Sequence, residues 1–119
     1  MIKNFENITN ELTEYELTLI PSIIKGFNRY SKEYPIKAPD IVSRYNASHS
    51  DYKLTEPRLR KMVNYIRSNG LAPLIATSKG YYVSNDVAEI KGQIESLRQR
   101  ADSISSCAKG LEGFLKIYT

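Results

Sequence analysis

Apolar residues Tyr15, Leu19, Ile20, Ile23, Ile24, Phe27 and Tyr30 recur at intervals of three and four, the period that places side chains on one face of a helix. Thr13, followed by Glu16 three residues on, has the pattern of a capping box, so a first helix is predicted over residues 13–33. Pro21 lies inside it and removes one backbone donor, which predicts a kink or a restart. Ile36 follows in an extended stretch between prolines, and Pro39 with Asp40 suits the first turn of a second helix over 39–46 carrying Ile41, Val42 and Tyr45. A polar connector of about Asn46 to Leu54 leads to a third helix over 55–69, with Thr55 as its cap and Pro57 in its first turn. At about 100° per residue, Leu59, Met62, Val63 and Ile66 fall within one core-facing arc. Pro57, Arg60, Lys61, Asn64 and Ser68 lie opposite, with Arg58, Tyr65 and Arg67 on the flanks. Asn69 and Gly70 supply a left-handed stop, and Pro73 prevents a restart.

Beyond Pro73 the period changes. "LIAT" and "YYVS" flank "SKG", which predicts a hairpin over 74–84 with Gly80 taking the positive φ of a tight turn. If Lys79 and Gly80 are the two turn residues, Ala76 faces Val83. Leu74 and Tyr81 then share the core side, leaving Ile75, Thr77 and Tyr82 on the other; a slip of one residue reverses every assignment. So small a ribbon must pack on the helices to be stable. After Asn85 and Asp86, either of which can cap, Val87, Ile90, Ile94, Leu97, Ala101, Ile104, Ala108, Leu111, Leu115 and Tyr118 advance by alternating steps of three and four. This is a heptad repeat sustained over four heptads on one long helix, 86–119.

Charge changes what these elements imply. The chain of 119 residues has a net charge of +4, but its first twenty residues net −3 and residues 86–119 net zero, so residues 21–85 carry +7. The outward face of the third helix is basic, with no acid between residues 57 and 68. Ordinary solvated helices mix signs to gain pairs one turn apart, and an unmixed cationic face instead suits a polyanion. Chemistry of other kinds finds little support. The one histidine, His49, lies in a connector and the one cysteine, Cys107, on the last helix, so no metal site and no Cys–His pair is spelled out, and no phosphate-cradling fingerprint occurs. No enzyme activity, metal or cofactor is expected. A single cysteine forms no intramolecular disulfide, and the default for such a thiol is burial or half-burial in a reducing compartment. No apolar run reaches the roughly 18 residues of a membrane span, so a soluble cytoplasmic protein is expected, with no membrane partner.

The fold class that emerges is mostly α with a small β-hairpin: a 1–12 arm, a domain over 13–85, and the heptad-bearing helix. "RLRKMVNYIRSNGLAPLIATSKGYYVS", residues 58–84, resembles the recognition helix and wing of small winged helix-turn-helix DNA-binding proteins of bacteriophages and mobile elements. The resemblance covers about residues 36–85, although the connector before the third helix is longer than the three or four residues of a compact helix-turn-helix. It implies binding of double-stranded DNA, with the third helix in the major groove and the hairpin beside the backbone, in transcription or replication. Arg60, Lys61 and Asn64 have the chemistry for base edges, because Arg pairs bidentately with guanine and Asn with adenine. Arg44, Lys53, Arg58, Arg67 and Lys79 are the candidates for phosphates.

The heptad stripe reads as an intermolecular seam of Ile90, Ile94, Leu97, Ala101, Ile104, Ala108, Leu111 and Leu115, or as a face that folds back on the first helix. Thin at its two alanines and weakened by Gly92, Gly110 and Gly113, it suits a short, modest coiled coil of a homodimer, whose direction the flanking Lys91, Arg98 and Arg100 leave open. Dimerisation would raise the avidity of two weak modules on a two-fold DNA site. The alternative is an adaptor in which the winged core is a scaffold and the last helix binds a partner protein.

Overall fold

Thr13 starts the first helix as its sequence predicts. In the computed structural model, which describes residues 11–118, the Glu16 backbone N–H donates to Thr13 Oγ1 at 3.1 Å and the Thr13 N–H donates to Glu16 Oε1 at 2.9 Å. The predicted arm lies outside the described residues except for Glu11 and Leu12, and Leu12 packs against the core. Helix α1 spans Glu14–Phe27 and continues as helix through Pro21, which sits on the exposed side. It ends six residues short of the predicted bound. Ser31 and Tyr34 exchange two backbone hydrogen bonds there, turning the chain toward Pro35, whose ring holds its predecessor out of the helical region.

Helix α2 spans Ala38–Ser48 and α3 spans Glu56–Ser68, each with its proline in the first turn. The connector between them is closed by one side chain acting as a strand would: Asn46 Nδ2 donates to the Leu54 carbonyl at 2.9 Å, and the Leu54 N–H donates to Asn46 Oδ1 at 2.8 Å. This clamp seats Leu54, 1% exposed, in the core. Thr55 stands at the N-cap of α3, but its hydroxyl makes no capping bond. The other end follows expectation: Gly70 takes φ +63, the Leu71 N–H donates to the Ile66 carbonyl and the Gly70 N–H to the Arg67 carbonyl, the Schellman pattern.

Leu59, Met62, Val63 and Ile66 are all buried, as the periodicity of α3 requires. They join Ile20, Ile23 and Phe27 of α1, Ile41 and Tyr45 of α2, Ile36, Leu54 and Leu74 in one core. The hairpin consists of β1, Leu74–Thr77, and β2, Gly80–Val83, paired antiparallel. Its register corrects the prediction. The turn residues are Ser78 and Lys79, so Ala76 faces Tyr81, Ile75 faces Tyr82 and Leu74 faces Val83. Ser78 and Lys79 have negative φ and Gly80, closing the turn, takes the positive φ expected of it, while Thr77 clamps the loop: its hydroxyl donates to the Gly80 carbonyl and accepts from the Lys79 N–H. Both faces of the ribbon are covered, since Ile75 and Tyr82 are buried as well as Leu74.

Gly80 is required for a second reason besides the positive φ its sequence context suggests. Ile36 and Tyr81 exchange two backbone hydrogen bonds of 2.9 and 2.7 Å, adding a one-residue third strand to the ribbon. Gly80 lies beside it with φ +134, and a Cβ there would come within 2.6 Å of the Ile36 carbonyl oxygen. Gly80→Ala therefore combines backbone strain with a collision against main chain. It should lower unfolding free energy by about 2–3 kcal/mol in urea titrations.

The chain divides at residue 85 into two units, and the second is a single helix. This helix, α4, spans Val87–Tyr118. Asp86 is its cap, with Oδ1 accepting from the N–H groups of Ala88 and Glu89. None of its residues is buried. Cys107 is exposed, contrary to the buried or half-buried thiol expected.

Candidate nucleic-acid interface

The basic residues of α3 sort by how far each stands from its core stripe. Arg60 and Asn64 are exposed and one turn apart; Lys61 and Arg67, on the shoulders of the face, are half-buried. Nearby acids hold two of them loosely. Arg60 Nη2 lies 3.4 Å from Glu56 Oε1 on the same helix, and Lys61 Nζ lies 3.5 Å from Glu11 Oε1. Glu11 is 94% exposed, so both are solvent-screened pairs worth at most about 1 kcal/mol and are readily exchanged for a stronger anion. Asn64 accepts a long 3.5 Å contact from Ser68 Oγ. The face is thus less purely cationic than the run 57–68 suggests, because its acids come from Glu56 and from the segment before α1.

Arg58 is a correction. Expected to meet a phosphate, it is 8% exposed and turned into the protein. Its Nε donates to Glu16 Oε2 at 2.8 Å, and its Nη2 donates to Glu16 Oε1 at 2.5 Å and to the Glu11 carbonyl at 3.1 Å. Tyr52 donates its hydroxyl to Glu16 Oε2 at 2.6 Å. The bidentate guanidinium holds the Glu16 carboxyl down to about 2, against the opposing effect of burial. A group so engaged fixes α3 to α1 and is not free to meet a ligand. Part of the signal was in the sequence: Glu16 falls on the stripe of Ile20, Ile23 and Phe27, a charge on a buried face, whereas Arg58 stands on the flank of its helix, one turn before Met62.

Lys79 is exposed at the hairpin turn and Lys53 is exposed in the connector. Arg44 is exposed on α2, its guanidinium carbon 5.8 Å from the centre of the Tyr30 ring, a cation–π distance. It lines a cleft of about 310 Å³ together with Lys25, Arg29 and His49. Lys25 in the last turn of α1 and Arg29 in the turn just after it were not singled out from sequence; only their i,i+4 spacing could have flagged them. Arg44 thus belongs to a separate cationic cluster built by α1 and α2.

The predicted seam of α4 is open along its second half: Ile104, Leu111 and Leu115 are 71%, 70% and 61% exposed. Ile94 and Leu97 are exposed to a lesser degree, and Ile90 is half-buried. Ala101 and Ala108 are exposed between them. Phe114, flanking the stripe, stacks on Tyr118 at its end with 6.3 Å between ring centres. Among the described residues no helix is long and apolar enough to cross a membrane. Compared with known proteins, the chain matches no family model, no curated protein and no solved structure.

Proposed function

We propose that this protein is a winged-helix DNA-binding protein that presents the outward face of α3 to the major groove and the Ser78–Lys79 turn to the phosphate backbone, and that works as a dimer through α4. The observation that carries the reading is the division of α3. Its apolar stripe is wholly buried, whereas Arg60 and Asn64, a guanine reader and an adenine reader by chemistry, stand exposed on the opposite side. The element order supports it. A helix, a one-residue strand at Ile36, two further helices and a hairpin joined to that strand make the sequence of parts from which a winged helix is assembled. The setting would be transcription or replication of a phage or mobile element.

The double variant Arg60→Ala/Lys61→Ala tests this. Its affinity for mixed-sequence duplex should fall at least tenfold near 0.1 M salt, and the slope of log K against log salt should flatten by about 0.9 for each phosphate that is no longer neutralised. Stability should change little, because both pairs are screened. Unchanged binding removes α3 from the interface.

The exposed apolar stripe of α4 favours a second reading, an adaptor whose last helix engages another protein. An adaptor requires no salt-sensitive affinity for DNA, and this is where the two readings part.

A further inference from the structure

We propose that α4 pairs with α4 of a second copy of this chain in antiparallel orientation, centred near Ser106, with Arg98 of each helix beside Glu112 of the other. This rests on the self-pairing reading above and adds its direction and register.

Size complementarity gives the first argument. In the heptad, Val87, Ile94, Ala101, Ala108 and Leu115 occupy position a, while Ile90, Leu97, Ile104, Leu111 and Tyr118 occupy d. A parallel pair sets each residue against its own copy. Ala101 would meet Ala101 and Ala108 would meet Ala108, two thin layers on either side of Ile104. An antiparallel pair sets a against d. Centred near Ser106, it places Ala101 against Leu111, Ala108 against Ile104, Leu97 against Leu115 and Ile94 against Tyr118. Every small residue then meets a large one, and the seam keeps an even width over about 37 Å at 1.5 Å per residue.

Charge gives the second, independent argument. The flanking positions are Lys91, Arg98, Ser105 and Glu112 at e, and Gln93, Arg100, Cys107 and Phe114 at g. Parallel helices bring each g beside the following e of the partner: Gln93 to Arg98, Arg100 to Ser105 and Cys107 to Glu112. None of these is a pair of opposite charges; Asp86, the next g position upstream, would fall beside Lys91 but is the helix cap, its Oδ1 held by the N–H groups of Ala88 and Glu89. Antiparallel helices bring e beside e and g beside g. In the register above, Arg98 meets Glu112 twice, and Arg100 meets the Phe114 ring twice, an arrangement suited to cation–π attraction. Moving the centre half a heptad toward the N-terminus pairs Lys91 with Glu112, but draws in Ile90, which is already half-buried, and leaves Arg100 beside Cys107. Moving it a full heptad sets Arg98 and Arg100 against their own copies. The three glycines fall at outward positions c and f, so none interrupts the seam.

The test uses the full chain with Cys107→Ser and Gly92→Cys, the new thiol carrying a nitroxide label at an outward position. Pulsed dipolar EPR should report a distance of about 45 Å. A parallel pair would give about 20–25 Å and a half-heptad shift about 35 Å, and either value overturns the proposal. A dipolar signal without modulation at concentrations where light scattering finds only monomer overturns the self-pairing reading itself. Charge exchange supplies a second readout. Arg98→Glu should raise the dimer dissociation constant about tenfold, and Arg98→Glu/Glu112→Arg should restore it; failure of the double exchange to rescue overturns the register even if a dimer persists.

Discussion

Glu16→Gln should lower the unfolding free energy by about 3–5 kcal/mol at neutral pH, and Arg58→Ala by a similar amount. Each leaves the other member of a buried ion pair without its counter-charge, and this is among the largest penalties a single substitution incurs. Replacing both members with apolar residues, as in Glu16→Leu/Arg58→Met, should recover much of the loss, because the cost lies in the orphaned charge rather than in the missing pair. The pair also sets a pH dependence. The Arg58 guanidinium depresses the Glu16 pKa from an ordinary 4.5 to about 2, so the carboxylate stabilises the fold fully above its unfolded pKa. That contribution, about 3 kcal/mol, is lost as pH falls from about 4.5 to about 2. Glu16→Gln should therefore differ most from the parent at neutral pH and converge on it near pH 2. Urea titrations at several pH values measure this, and a gap that stays constant with pH would place the ion pair's effect elsewhere.

Leu111→Asp should dissociate the protein to monomers in light scattering and lower its affinity for DNA carrying two half-sites by about 10²–10⁴. A charge at the centre of an apolar seam is costly, and tethering is what converts a second weak contact into an intramolecular one. Binding to a single half-site should be unaffected. A position on a helix that buries none of its residues also leaves the 11–85 unit intact, so the far-UV spectrum and the urea transition of that unit should not change. A uniform loss on both DNA targets would instead mean that α4 touches DNA itself.

Much of this architecture was legible in local patterns. The capping box at Thr13, the buried stripe of α3, the stop at Gly70 and the long α4 were all set by short-range chemistry, and they stand where the pattern puts them. The misreadings share a cause: each depended on a partner outside the local motif that was read. Arg58 appeared to belong to a basic face because its acid, Glu16, lies forty-two residues away. The hairpin register depended on Thr77 clamping the turn and on Ile36 approaching Gly80, neither of which the "SKG" motif contains. Helix α2 ran on to Ser48 because Asn46, which resembled a terminator, uses its amide to hold Leu54. Among the proposed DNA contacts, periodicity placed Arg60 and Asn64 outward correctly. It did not separate Arg44, which joins Lys25 and Arg29 in another cluster.

The most direct test of the central claim is a backbone-amide NMR titration of the full chain with a short mixed-sequence duplex at low salt. The account predicts shift changes concentrated at residues 60–68 of α3 and at Ser78 and Lys79, reversed as salt is added. Changes confined to residues 87–118, or none at all, would contradict it.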